Sequence, residues 1–469
     1  MEEDRTIEDI PEFSILAVRA LFAVIWIAVT AVVTFSSEKQ YTAPLSYPSS
    51  GPIQGVEETF DERRLHVYYG VPYMRPALLQ NRFQQLPNLQ RPWPFLLDAS
   101  QPPNMCSQPS INVGKMTLDY RNSSEDCLYL NIYVPARKSS DSVPKHPIIL
   151  VVHGGSYYYG SNSFPFYNGK YLAAHGNAMV VVPNYRLGVF GFLRSNVLKV
   201  PGNQGLSDVD RALRWVVNNA AAFGGDVHSV TLMGHQVGAA LIGLLHTIAG
   251  ASELFHRAIM MSGSPYMRHL RGDRKARATG TPGVCAEARL HRPAHCSRLP
   301  PQQDAPSNLI IGATANEGSY YANLFLEKFS KYDVSKLSRA EALNYLREMI
   351  KELGVHQFDD LVAYYNEKYK DESVEAVFAN AIGDIVVNCP MKQFARHTSS
   401  VQTKVFMYVF DQKPSYSTSR LKGAGHYDDI FLSLGYALET SSGAMNVTNA
   451  EKELSKELLR AWSRFADHG

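Results

Sequence analysis

The stretch that decides the fold is SVTLMGHQVGAALIGLL, residues 229–245. Residues 229–233 have the pattern of a buried strand, and residues 239–245 have that of a short apolar helix. Between them stands GHQVG, residues 234–238, in which two glycines let the strand and the helix pack closely around a strained turn. Such a turn raises the side chain of its central residue above the edge of a sheet. Here that residue is Gln236.

Gln236 stands where a hydrolytic reaction would need a serine. In enzymes built on a G-x-S-x-G turn, the serine attacks the substrate after a histidine has taken its proton. The amide of Gln236 has no proton that a histidine can usefully remove, and it is a poor attacking group. We therefore expect a hydrolase scaffold that has lost the hydrolase reaction.

Alternating strand and helix patterns surround this turn. Continuous apolar runs at 148–152 and 178–182 are typical of strands buried on both faces, and 60–72 and 130–135 also indicate strands. Helical patterns cover 208–223, 339–353, 358–369, 373–385 and 450–466. The sequence predicts an α/β-hydrolase fold, with a mostly parallel central sheet flanked by helices.

Composition narrows the class of protein. The chain has 469 residues, of which 45% are hydrophobic, which is ample for a large core. The formal net charge of +2 argues against nucleic-acid binding. Two glycosylation sequons begin at Asn122 and Asn446, and they fit an exported glycoprotein. No pattern calls for a metal or a cofactor.

The N-terminal region predicts the topology. Residues 20–35 carry no charge. The length of this uncharged run is at the lower limit for a membrane span. The preceding segment is acidic, which favours an uncleaved signal anchor; a cleaved signal peptide, giving a secreted protein, is the alternative. We expect a cytoplasmic N-terminus at 1–19, a single-pass type II anchor at 20–36, a stalk at 37–50 and an extracellular domain at 51–469.

One segment differs from the rest. Residues 268–306 are basic, rich in Arg, Pro and Ala, and almost without large apolar side chains. A disordered surface insertion and a gene-model error are both open interpretations. A basic patch for membrane or heparin is a third.

A second motif follows the strand at 148–152. HGGSY, residues 153–157, resembles the loop whose backbone N–H groups bind the oxyanion in such hydrolases, although a plain tight turn is an alternative. Ser156 stands at its third glycine position. Tyr157, Tyr158 and Tyr159 follow, either as core residues or as the lining of a gorge.

Five further motifs identify a family resemblance. They occur in order as YGVPY (69–73), EDCLYLNIYVP (125–135), NYRLG (184–188), GNQGLSD (202–208) and FGGD (223–226). With the turn at 234–238, they are similar to the motifs of type-B carboxylesterases, the cholinesterase-like family. The resemblance runs over most of the chain from Gly51 onward.

The resemblance assigns positions to a degenerate catalytic triad. Gln236 falls on the nucleophile, Glu317 on the acid and His426 on the base, in the order of α/β-hydrolases. Gly154, Gly155 and Val237 fall on the oxyanion-hole positions. Without a nucleophile, Glu317 and His426 are expected to satisfy each other in a buried pocket.

The resemblance also implies disulfides Cys106–Cys127 and Cys285–Cys296. Cys389 matches a cysteine whose family partner lies in a C-terminal region that is absent here, so a truncated C-terminus is expected. The helical dimer interface of the family uses that same region, which leaves homodimerisation in doubt.

The non-catalytic members of this family are cell-surface adhesion proteins, such as neuroligins and neurotactin. We therefore expect a pseudoenzyme whose extracellular domain binds an unidentified cell-surface or secreted protein. One alternative is a carboxylic ester hydrolase in which His426 and Glu317 activate water without a serine. A degraded gene product is another.

Overall fold

The computed structural model describes residues 45–469, except for 90–91, 114–115, 119–121, 137–144, 247, 249, 252, 268–307, 322–337, 354, 356, 400–402, 418, 420 and 440–445. Several expectations lie outside the described residues. They are the segments 1–19 and 20–36, the basic segment 268–306, and the Cys285–Cys296 disulfide.

A nine-stranded sheet organises the described residues. Its strands are β1 (Val56–Phe60), β2 (Arg63–Pro72), β3 (Tyr129–Pro135), β4 (His146–Val152), β5 (Met179–Pro183), β6 (Gly225–His235), β7 (Arg257–Met261), β8 (Asn308–Thr314) and β9 (Val405–Phe410). The spatial order is β9-β8-β7-β6-β4-β5-β3-β2-β1. Pairings from β5 to β9 are parallel, and those among β5, β3, β2 and β1 are antiparallel. The predicted mostly parallel sheet is confirmed.

Helices cover both faces of this sheet. They are α1 (Lys170–Gly176), α2 (Gly188–Phe192), α3 (Gln204–Asn219), α4 (Val237–Leu245), α5 (Arg339–Glu352), α6 (Phe358–Lys368), α7 (Val374–Gly383), α8 (Cys389–Thr398), α9 (Ile430–Ser433) and α10 (Asn449–His468). Alternate residues of β4 enter different cores: Leu150 packs in the core that contains α3 and α4, and Val151 in the core that contains α1 and α10. Burial on both faces explains why β4 is continuously apolar.

Short strands form three small sheets besides the main sheet. Leu45–Ser46, Ile53–Gln54 and Leu97–Asp98 form one small sheet, Met105–Cys106 pairs with Ser123–Ser124, and Ile111–Val113 pairs with Met116–Leu118. The expected disulfide Cys106–Cys127 is present and links residues 21 positions apart. Cys389 is a free, exposed thiol. Asn122 and Asn446, the two sequon asparagines, are both exposed.

The structure differs from the sequence-based expectation at two places. The run at 60–72 is not one strand, because Asp61 and Glu62 form a turn with φ of 49° and 61° that separates β1 from β2. The packed domain includes residues before Gly51, since Ser46 is 2% exposed and its hydroxyl donates to the carbonyl of Ala222 at 2.8 Å. Residues 45–50 therefore belong to the domain and not to a stalk.

One described helical stretch has the length and composition of a membrane span. It is Val374–Thr398, which comprises α7, a π-helical turn at Asp384–Asn388, and α8. In its most apolar 18-residue stretch, 61% is buried within the protein. Such burial is typical of a core helix in a globular domain.

Candidate functional site

The triad positions converge at one end of the parallel strands. Gln236 directly follows β6, Glu317 follows β8, and His426 lies in the loop that follows β9. The loop after β4 supplies residues 153–157. Asn316 N–H donates to the carbonyl of Ala424 at 2.9 Å and so ties the Glu317 loop to the His426 loop. Carboxyl ends of parallel strands are the usual position of sites in open α/β sheets.

The turn at Gln236 keeps its strained backbone. Gln236 has φ of 53° and ψ of −115°, and its N–H donates to the carbonyl of Met261 at 2.8 Å. Glycines allow the close packing: a Cβ on Gly238 would lie 2.1 Å from the carbonyl oxygen of Val152, and one on Gly263 would lie 2.0 Å from that of Gln236. The turn therefore depends on glycine at positions 238 and 263, where no side chain would fit.

The side chain of Gln236 is fully buried, and its amide oxygen is held by three donors. Oε1 accepts from Gly155 N–H at 3.0 Å, from Ser156 N–H at 2.9 Å and from the hydroxyl of Tyr427 at 2.9 Å. We call the two amides and this hydroxyl the cradle. Backbone N–H groups converging on one oxygen are what stabilises an oxyanion in acyl-transfer enzymes. Here a neutral amide oxygen of the chain itself occupies them.

The amide nitrogen of Gln236 is engaged as well. Nε2 donates to Ser156 Oγ at 3.0 Å and to the hydroxyl of Tyr321 at 3.3 Å. The Tyr321 hydroxyl also lies 3.5 Å from Nε2 of His426. Tyr321 thus stands between the histidine and the residue at the nucleophile position.

The three residues predicted to form the oxyanion hole have different surroundings. Gly155 N–H reaches Gln236, as described above, whereas Gly154 N–H donates to the hydroxyl of Tyr167 at 2.8 Å. Val237 is buried at the start of α4. Ser156, which the sequence marks only as a departure from glycine, supplies the second amide and has φ of 52°.

Glu317 and His426 form a buried ion pair or hydrogen bond between Oε2 and Nδ1, with both side chains fully inaccessible. Glu317 Oε1 also accepts from Thr314 N–H at 2.7 Å. Burial acts to raise the pKa of Glu317, but the charge of His426 and these hydrogen bonds outweigh it and hold that pKa below its usual value. The carboxylate is therefore ionised and orients the imidazole ring.

Sequence reasoning missed the tyrosines around this pair. Burial raises the pKa of Tyr321 and of Tyr427 well above the usual value, so both hydroxyls stay protonated and can donate. Tyr159 is 7% exposed, and its hydroxyl lies 2.8 Å from that of Tyr427. Tyr157 is also buried, so both side chains serve the core rather than an open gorge. Tyr427 directly follows His426 in the chain, but no sequence signal indicates its orientation.

A second buried pair lies beside the triad positions. His235 Nε2 is 3.7 Å from Asp429 Oδ1, and both side chains are almost inaccessible. The ring of His235 stacks on that of His426 with centroids 5.5 Å apart. Among the described residues, no group of three or more His, Cys, Asp or Glu side chains has the arrangement of a metal site.

The amide of Gln236 has all its polar atoms paired within the protein. An esterase reaction needs an attacking group and an empty position for the developing oxyanion. Gln236 supplies no hydroxyl, and its amide oxygen fills the cradle. His426 Nε2 faces a phenol of high pKa rather than a nucleophile.

Comparisons with known proteins agree with the architecture. The sequence profile described as "Carboxylesterase family" matches residues 42–288 and 290–469. The chain is 30% identical over 478 residues to an acetylcholinesterase of Bungarus fasciatus, covering 90% of this chain and 77% of that protein. It is 29% identical over 504 residues to an acetylcholinesterase of Leptinotarsa decemlineata, covering 92% and 79%. It is 28% identical over 486 residues to a cholinesterase of Mus musculus, covering 90% and 78%.

Proposed function

This chain belongs to the carboxylesterase family, and from that premise we propose that it is a catalytically inactive, cholinesterase-like binding protein of the cell surface. Its domain would mediate adhesion or receptor–ligand binding to a cell-surface or secreted protein, as expected for the non-catalytic branch of the family. The hydrolase fold would serve as a rigid support for a recognition surface. Function on such a fold depends on the particular site and not on the fold.

The observation that carries this proposal is the position of the Gln236 amide. Its oxygen accepts three hydrogen bonds in the cradle, and its nitrogen donates two more. A substrate carbonyl would have to displace these bonds, and it would then find no nucleophile. Loss of the serine alone typically lowers the rate by several orders of magnitude.

Other features support an exported, surface-bound protein. The Cys106–Cys127 disulfide is typical of an oxidising compartment. Asn122 and Asn446 are exposed, as glycosylation requires. The uncharged run at 20–36 supplies the proposed type II anchor, and its cleavage would release the same domain as a secreted protein.

The test compares the wild-type chain with Gln236→Ser on a panel of short acyl esters. We expect no turnover by the wild type. The serine variant would empty the cradle and restore a hydroxyl near His426, so we expect measurable, histidine-dependent hydrolysis that Gln236→Ser combined with His426→Ala lacks. Turnover by the wild type that disappears in His426→Ala would overturn the proposal.

A hydrolase without the serine is the second candidate, and the retained Glu317–His426 pair favours it. In that mechanism His426 would act as general base on a water molecule. It requires the Gln236 side chain to leave the cradle, because the oxyanion would need the amides of Gly155 and Ser156. The ester panel above decides between the two candidates.

A further inference from the structure

The Gln236 amide lies in the cradle as a substrate amide would. Its Oε1 is 3.0 Å from the backbone nitrogen of Gly155, 2.9 Å from that of Ser156 and 2.9 Å from the hydroxyl of Tyr427. Donors at about 2.7–3.1 Å around one oxygen are the geometry that stabilises an oxyanion during attack on a carbonyl. The carbonyl that this cradle polarises is therefore that of Gln236 itself.

The cradle loop is held in place by its own backbone. The N–H groups of Tyr158 and Tyr159 both donate to the carbonyl of Gly155, at 2.9 and 3.0 Å. A Cβ on Gly155 would lie 1.8 Å from the carbonyl oxygen of Tyr159, so the loop packs closely against itself. Fixed donors stabilise developing charge without reorganising, and a hydrogen bond to an ionised oxygen is about twice as strong as one to a neutral oxygen. The cradle therefore stabilises an oxyanion on Gln236 more than it stabilises the neutral amide.

A proton donor lies beside the amide nitrogen. Nε2 of Gln236 is 3.3 Å from the hydroxyl of Tyr321, and that hydroxyl is 3.5 Å from Nε2 of His426. Burial raises the pKa of Tyr321 well above its usual value, so the phenol keeps its proton until the amide nitrogen becomes basic. The carboxylate of Glu317 holds the His426 ring through Nδ1, which leaves Nε2 as the atom that exchanges a proton with Tyr321.

The amide nitrogen lies next to a residue that solvent reaches. Gln236 is fully buried, whereas Ser156 is partly exposed. Ser156 Oγ accepts a hydrogen bond from Nε2 of Gln236 at 3.0 Å. Water therefore approaches the amide carbon along Ser156.

From this geometry we propose that the chain deamidates itself at Gln236, so that the glutamine becomes a glutamate after folding. Water adds to the amide carbon and loses a proton to Nε2 of His426, and the carbonyl oxygen becomes an oxyanion in the cradle. Tyr321 donates its proton to the amide nitrogen, the C–N bond breaks and ammonia leaves. His426 returns its proton to Tyr321, and the new carboxylic acid gives its proton to ammonia. An amide and water are thus converted to a carboxylate and ammonium.

The product fits the same site. One oxygen of the new carboxylate keeps the three donors of the cradle, and the hydroxyls of Ser156 and Tyr321 can rotate to donate to the other oxygen. Charge-assisted hydrogen bonds are stronger than those to an amide, which favours the product. Each chain reacts once, because ammonia is the only leaving group. The inference does not depend on partner binding or on ester hydrolysis, so it and the proposed function can fail separately.

A time course on the full chain tests the proposal. The protein is purified in nonionic detergent and kept near neutral pH in water labelled with heavy oxygen, and peptide mass spectrometry follows position 236. We expect the amide to become an acid that carries one labelled oxygen. Acid that is already present at purification counts as product, because the sequence encodes glutamine.

Gln204 is the matched control within the same chain. It is fully buried, its Nε2 donates to the carbonyl of Phe83 at 2.8 Å, and its Oε1 has no partner among the described residues. This glutamine is therefore equally enclosed but lacks donors to its carbonyl oxygen. We expect Gln236 to deamidate at least about 100-fold faster than Gln204.

Three variants assign the roles. Tyr427→Phe removes one donor of the cradle and should slow deamidation about 100-fold or more. Tyr321→Phe removes the proton donor and should slow it about 100-fold as well. Tyr73→Phe also removes a buried tyrosine hydroxyl, one that donates to the carbonyl of Asn184 at 2.7 Å, and it should leave the rate unchanged.

Three results would overturn the proposal. One is a wild-type chain in which position 236 remains an amide for as long as Gln204 does. Another is an equal rate in guanidinium, where the cradle is unfolded. The third is an unchanged rate in Tyr427→Phe and Tyr321→Phe proteins that circular dichroism shows to be folded. The first two results need no variant, so they decide the matter even if a variant fails to fold.

Discussion

Gln236→Leu should destabilise the protein far more than Gln236→Glu. Leucine has a similar apolar bulk but accepts no hydrogen bond, so the amides of Gly155 and Ser156 lose the acceptor they now share. These two N–H groups are fixed by the backbone, whereas the hydroxyl of Tyr427 can turn toward Tyr159. A buried donor left unpaired costs about 1–3 kcal/mol, so the two together cost about 2–6 kcal/mol.

Glutamate keeps both the shape and the acceptor at position 236. Its second oxygen replaces Nε2 of Gln236, and the hydroxyls of Ser156 and Tyr321 can rotate to donate to it. Hydrogen bonds to the carboxylate offset its desolvation. We expect a loss of no more than about 2 kcal/mol at neutral pH.

Guanidinium unfolding, followed by fluorescence and by circular dichroism, measures both variants. Coincident transitions would justify a single free energy of unfolding for each protein. If Gln236→Leu unfolds within about 1 kcal/mol of the wild type, the cradle amides do not depend on Gln236, and the reasoning is refuted.

Two further predictions concern buried charges away from the cradle. Burial lowers the pKa of His246 from 6.5 to about 4, so the unfolded chain takes up this proton first as the pH falls. Stability should therefore drop by about 3 kcal/mol between about pH 6.5 and 4, and His246→Leu should remove that part of the drop, as measured by unfolding across this range. Asp208→Asn leaves the buried guanidinium of Arg186 without its carboxylate and should cost about 3–5 kcal/mol in the same unfolding assay. Asp359→Asn breaks an exposed pair and should cost less than about 1 kcal/mol.

The sequence predicts the buried strands because every residue of such a strand meets an apolar core, so the apolar residues form a continuous run. The apolar run at 148–152 lies within β4, and both of its faces meet a core. The turn at Asp61 and Glu62 cannot be predicted from the sequence in this way. Both residues adopt positive φ without the Gly or Asn that usually marks such a backbone, so the sequence predicts one strand through this charged pair.

The triad positions were predictable from motifs, but the contacts of Gln236 were not. Their order along the chain identifies Gln236, Glu317 and His426, and the buried pairing of the last two is found as expected. The partners of the Gln236 amide include Tyr321 and Tyr427, which lie 85 and 191 residues away. Such contacts depend on side-chain rotamers and on loop packing, which leave no periodic trace in a sequence.

The strained turn at Gln236 has a consequence for how activity varies among relatives. Its close packing depends on Gly238 and Gly263 rather than on the side chain at position 236. On the proposed function, gain and loss of the reaction would then be separated by one residue rather than by a refolding event. If the proposed function holds, a survey of such proteins should find enzymes and binding proteins interleaved on the family tree rather than divided between two branches.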